Sequence, residues 1–174
     1  MNFIGNGKKG MRCAQLVITG NSENIPSDFT VMSLINFSTL SFLPQLNNLI
    51  TFDENSGIFT LLHSGVLYMS VSLNLHAAQA LATLQLIPEF NPGGGWETGA
   101  GKKTVLIATE PSQIEWSGMK DLQKDTQLRF LFSSTGPGNI IFETETLDPG
   151  GIHECTIPAA IFYLIFHRSF EPII

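Results

Sequence analysis

The chain has 174 residues, 43% of them hydrophobic and 14% charged, and its 9 Lys and Arg against 15 Asp and Glu give a formal charge of -6. That length fits one domain able to bury its own core, while the acidic balance excludes a basic footprint for nucleic acid and no run approaches the ~18 apolar residues of a membrane span. A charged fraction well under the ~25% of a typical soluble domain points to an exterior partly covered by copies of the same chain.

Residues 1 to 12, MNFIGNGKKGMR, are rich in Gly, Asn and Lys and read as a flexible arm that a partner orders, ahead of one domain over 13 to 174. No apolar stretch follows Lys8 and Lys9 directly, so a secretion leader is not expected. From Cys13 onward apolar residues recur with period two in short runs divided by turn-formers, the mark of strands. CAQLVIT (13 to 19) and FTVMSLINF (29 to 37) come first, and IFTLL (58 to 62) follows the turn Asp53 to Gly57. In VLYMSVSLNLH (66 to 76), Leu67, Met69, Val71, Leu73 and Leu75 share one face, and Tyr68, Ser70, Ser72 and Asn74 share the other.

ALATLQLIP (80 to 88) is expected to stop at Pro88, which cannot donate to a ladder. A polar loop from NPGGG to Lys102 precedes KTVLIAT (103 to 109) and QIEWSGM (113 to 119). TQLRFLFS (126 to 133) sets Leu128, Phe130 and Phe132 opposite Gln127 and Arg129. NIIFETETL (139 to 147) and AAIFYLIFHR (159 to 168) complete about nine or ten strands, with no helical stretch long enough for parallel crossovers. An all-β antiparallel sandwich or barrel is therefore expected.

The stretch LITFDENSGIFTLLHSGVLYMSVSL, residues 49 to 73, resembles the C1q and tumour-necrosis-factor-like jelly rolls through Phe52, Gly57, Phe59, Thr60, Gly65, Leu67, Met69 and Val71. LQKDTQLRFLF (122 to 132) is similar to the turn and core strand of that family, and AIFYLIFHR to its last strand. Two departures stand out: Leu67 and Met69 occupy places where Tyr and Phe are common, and the turn Lys124-Asp125-Thr126 lacks the usual Gly. The resemblance implies an antiparallel jelly-roll β-sandwich of about ten strands that assembles as a homotrimer, with the last strand near the threefold axis. Because Ile161, Tyr163 and Ile165 lie opposite Phe162, Leu164 and Phe166, that strand is expected to be covered on both sides. Tyr163, Ile161, Ile165 and Tyr68 are the expected trimer interface, and Phe166 is expected to face the core.

Motifs for chemistry are missing. The sequence contains no G-x-S-x-G, H-E-x-x-H, phosphate-binding Gly-rich loop or C-x-x-C. The four His are scattered, and no catalytic residue, metal ligand or cofactor is expected. A small cupin-like metal enzyme is the alternative from another class, and it needs two His and a carboxylate to converge inside the barrel. Glu143 and Glu145 would share one strand face, and the expected role of that pair is solubility. Cys13 and Cys155 are expected to be buried thiols that are not joined. Trp96, in NPGGGWETGAG, is the expected anchor for a partner protein or a glycan, set against a ring that folds back over the sandwich, and Trp116 is expected in the core.

These readings combine into a non-enzymatic trimeric module displayed on a surface. A virion setting, as a phage fibre, tail or capsid-decorating protein attached through the arm and contacting a host protein or glycan, accounts for display without a leader. The alternative is a non-viral C1q-like adhesion or ligand domain, extracellular or on a cell surface.

Overall fold

A computed structural model describes residues 12–22, 25–31, 41–45, 49–136, 139–147, 149–152 and 154–167. Residues 1 to 11 of the expected arm (1 to 12) and most of the expected strand 29 to 37 lie outside the described residues, and Arg12 begins the first strand. Fifteen strands are present among those described: β1 (Arg12–Thr19), β2 (Thr30–Val31), β3 (Ser41–Gln45), β4 (Ile50–Asp53), β5 (Ile58–Leu61), β6 (Gly65–Ala77), β7 (Ala82–Asn91), β8 (Glu97–Thr98), β9 (Lys103–Ile107), β10 (Ser112–Leu122), β11 (Gln127–Thr135), β12 (Ile140–Phe142), β13 (Glu145–Leu147), β14 (Cys155–Ile157) and β15 (Ala160–His167).

Every pairing between these strands is antiparallel. The first sheet runs β10-β6-β15-β1-β3, with β12 continuing along β6 beyond β15. The second runs β4-β5-β11-β7-β8, with β2 on β11 and β9 on β7, and β13 and β14 form a separate hairpin. The expectation of an all-β antiparallel sandwich holds. The strand count exceeds ten because several expected runs are split and short edge strands join them.

The pleat decides what is buried. Leu67, Met69, Val71, Leu73 and Leu75 of β6, Leu128, Phe130 and Phe132 of β11, and Phe162, Leu164 and Phe166 of β15 all point between the sheets and are buried. Phe130 and Phe162 meet at 5.3 Å between ring centroids, Phe59 lies 5.5 Å from Phe162, and Trp116 stands edge-on to Phe130 at 5.7 Å. Each such ring contributes roughly 1.5–3 kcal/mol through burial. Trp116 is thus a core residue, its indole N–H donating to the Gly101 carbonyl. Gly118 makes room for it: a Cβ there would stand 2.7 Å from the Trp116 ring.

Three local expectations need correction. β7 does not stop at Pro88 but runs to Asn91. In an antiparallel strand the N and C=O of one residue face the same neighbour. The Pro88 carbonyl accepts from Gly99 N at 2.8 Å, so its nitrogen, which has no hydrogen, faces that same side. The β9 ladder ends there at Leu86 and the β8 ladder starts at Glu89, so the proline falls between the two ladders and only the reciprocal bond to Gly99 is forgone. The run 139 to 147 is not one strand: it breaks at Glu143 and Thr144, where Gly20 N donates to the Thr144 hydroxyl at 2.6 Å and Glu143 N to the Asn74 carbonyl at 3.0 Å. Glu143 and Glu145 therefore do not share a strand face. At the turn that lacks Gly, Asp125 takes the left-handed position with φ 67, which a short polar side chain tolerates.

Candidate interaction surfaces

The outward positions of the first sheet follow from the same alternation. Register places Met119 beside Tyr68, Tyr68 beside Ile165 and Ile165 beside Cys13, so these four form one row across β10, β6, β15 and β1. The next row is Ser117, Ser70, Tyr163 and Gln15, and the third is Glu115, Ser72, Ile161 and Val17. Tyr68 is 38% exposed, Tyr163 37% and Met119 73%, while Ile161, Ile165 and Val17 are half-buried. In these rows no outward position of β6, β15 or β1 is charged, and Glu115 stands on the edge strand. The four residues expected at an interface, Tyr163, Ile161, Ile165 and Tyr68, thus lie together on one face, and Phe166 points inward as expected.

Met119 is the residue of this face that the sequence reading passed over. The signal was present: once Trp116 is inward, parity sends Ser117 and Met119 outward.

The Tyr163 hydroxyl donates to Cys13 Sγ at 3.3 Å, reaching from one row to the next. This hydrogen bond, together with the electrostatics of the thiol and slight desolvation, holds the Tyr163 hydroxyl above the usual phenol range. Cys13 is half-buried on the outward side of β1, because Ala14, Leu16 and Ile18 take the inward places. Cys155 is exposed on β14, in the hairpin outside both sheets. The expectation of two buried thiols is therefore wrong on location, and the two cysteines are not joined.

The outward side of the second sheet is mixed: Ile87, Leu131 and Val31 form an apolar row across β7, β11 and β2, Leu106 is exposed on β9, and the row next to Ile87 and Leu131 is charged. Glu89 on β7 and Arg129 on β11 are register partners, and Arg129 Nη2 and Nε lie 2.7 Å and 2.9 Å from Glu89 Oε2. The Trp96 ring lies over this pair, its centroid 3.9 Å from Arg129 Cζ. Trp96 is half-buried, so it combines the two expectations: it folds back onto the sheet, yet it sits among exposed loop residues. Nothing in the sequence assigns Arg129 to it, since the register between β7 and β11 creates the stack.

The described histidines, His63, His76 and His167, stay apart. His63 lies 6.5 Å from the Phe166 ring and His167 ends β15. His76 Nδ1 sits 2.8 Å from Glu143 Oε1, joining the end of β6 to the chain just after β12. Among the described residues no three His, Cys, Asp or Glu side chains gather as metal ligands. Among them, too, no helix is long and apolar enough to cross a membrane.

No protein-family model matches the chain. No curated protein is similar to it in sequence. Solved structures are similar in fold. Eiger TNF from S. frugiperda superposes with a TM-score of 0.58 at 12% identity, over 94% of this chain and 98% of that one. Murine APRIL at pH 8.0 gives 0.55 at 12% identity, over 90% and 99%. The globular domain of zebrafish complement 1qA gives 0.52 at 12% identity, over 91% and 100%. The chain is an all-β antiparallel sandwich with the jelly-roll topology of these C1q- and TNF-type domains.

Proposed function

We propose that the protein is a non-enzymatic binding module that assembles with copies of itself, as a homotrimer, through the outward face of the first sheet. The observation that carries this reading is the uncharged row Met119, Tyr68, Ile165 and Cys13 with Tyr163 beside it, apolar area that a solitary sandwich leaves in water. Large aromatic and Met side chains are the residue types that interface centres favour, and charged ones are depleted there. Tyr163, Ile161, Ile165 and Tyr68 are the proposed contacts, and the partner-facing surfaces are the loops and the second sheet. Residues 1 to 12 serve as an attachment arm, and 13 to 174 form the domain.

The setting that fits the fold likeness is extracellular or at a cell surface, as an adhesion or ligand domain. A virion fibre, tail or capsid-decorating role, with the arm docked on another virion component and a host protein or glycan as target, has no observation in its favour beyond the sequence reading.

A double variant tests the proposed face. Tyr68→Lys with Tyr163→Lys places two like charges on it, and sedimentation velocity should then find folded monomers where the parent protein sediments as trimers. An unchanged sedimentation coefficient in the double variant would remove the face from consideration.

A further inference from the structure

We infer that Trp96 is a stacking platform for an uncharged sugar ring, on the outward side of the second sheet and independent of the self-association face. The loop that carries it is built rather than slack. Asn91 Oδ1 accepts from Gly93 N at 2.9 Å and from Gly95 N at 3.1 Å, with Gly93 at φ 112 and Gly95 at φ 124. Those backbone conformations need glycine, and a Cβ at positions 93, 94 or 95 would meet nothing within 4 Å. The loop therefore stands clear of the body while its ends are fixed.

The indole is held from below. Arg129 lies 3.9 Å beneath the ring, and Glu89 fixes the guanidinium through two of its nitrogens. A ring immobilised before its ligand arrives has little conformational entropy left to lose on binding. Residues 92 to 95, 97 and 98 around it are exposed, so the surroundings are open to a ligand.

The chemistry around the ring selects the ligand class. Glu89 neutralises Arg129, so the stack presents no spare cation to a phosphate, sulfate or carboxylate. Next to it stand neutral amides: Asn91 Nδ2 lies 3.5 Å from Gln127 Oε1, a loose contact that leaves both amides able to bond elsewhere. An aromatic face for C–H groups beside amides for hydroxyls is what a neutral pyranose requires. The exposed Glu97 beside the ring further disfavours an acidic ligand.

The test is a glycan array that carries neutral members (lactose, N-acetyllactosamine, chitobiose and cellobiose) beside sialylated and sulfated ones, probed with the full-length protein. Wild type should be retained on at least one neutral glycan, and Trp96→Ala should weaken that binding by about thirtyfold or more, the loss typical of a hot-spot ring. Trp96→Phe, which keeps a ring over Arg129, should retain part of the binding, and it decides the matter should the Ala variant lose its melting transition. Retention on no neutral glycan, retention only on charged glycans, or equal retention of wild type and both variants would overturn the inference. The mass of the same samples by light scattering reads self-association separately, so failure of either reading is recognisable alone.

Discussion

On the first sheet the outward residues of β15 are Ile161, Tyr163, Ile165 and, at its end, His167, whereas on the second sheet those of β7 are Thr83, Gln85, Ile87, Glu89 and Asn91. Both strands bury their alternate residues against the same core. Core packing cannot account for the difference, because it constrains only the inward set. An apolar outward set adds little to the folding of one chain and is the kind of surface that a partner covers, while a set carrying an ion pair is the kind that water covers.

The contrast is sharpest between neighbours. Phe162 points inward against Phe59 and Phe130, and Tyr163 points out. Phe162→Ala should cost about 3–5 kcal/mol and bring the chain close to unfolding, read as a large fall in the urea midpoint. A midpoint close to that of the parent protein would mean the core is not organised around these rings.

Next in size is the ion pair on the second sheet. Glu89→Leu should destabilise by roughly 1–3 kcal/mol, because Arg129 is left without its carboxylate on a partly buried surface. The assembly mass should not change. Loss of mass in this variant would show that the second sheet, and not the first, joins the copies.

The smallest effect concerns the turn between β4 and β5, at the edge of the second sheet. Asp53 accepts from the Ser56 hydroxyl at 2.7 Å and from Asn55 N at 3.0 Å, and these bonds hold its carboxyl below the usual carboxylate range. A carboxylate with a depressed folded-state pKa adds stability above its unfolded value and loses it as the pH falls through the folded one. Ser56→Ala should therefore move the Asp53 titration, followed by NMR, up toward the ordinary value. No movement would mean that the hydroxyl is not its partner in solution.

Much of this was legible in the sequence, for a physical reason. Where a strand is half buried, period two is enforced residue by residue, and the inward sets of β6, β11 and β15 could be written down from the letters alone. The parity of Tyr163 and Phe166 followed in the same way, and so did the placement of Ile161 and Ile165. What could not be read were events set by register between distant segments. Arg129 meets Glu89 because β11 and β7 pair with that offset, and His76 meets Glu143 because β12 extends β6 where β15 ends. Pro88 misled because a missing donor matters only on a side that carries a ladder bond, and the gap between β8 and β9 confines the loss to the bond with Gly99. Cys155 misled because two short strands outside both sheets have no core to bury a thiol in. The Trp96 stack combined both limits, since the loop was visible as a glycine cluster and its contact with the sheet was not.

The central claim is that the outward face of the first sheet joins copies of the chain. Light scattering on the purified protein at micromolar concentration tests it most directly, with Tyr163→Ala measured alongside. The account predicts about three times the chain mass of 19.0 kDa for the parent protein, with the variant shifting toward a folded monomer. A parent protein that is a stable monomer, or a Tyr163→Ala variant that keeps both the trimer mass and the thermal midpoint, would contradict it.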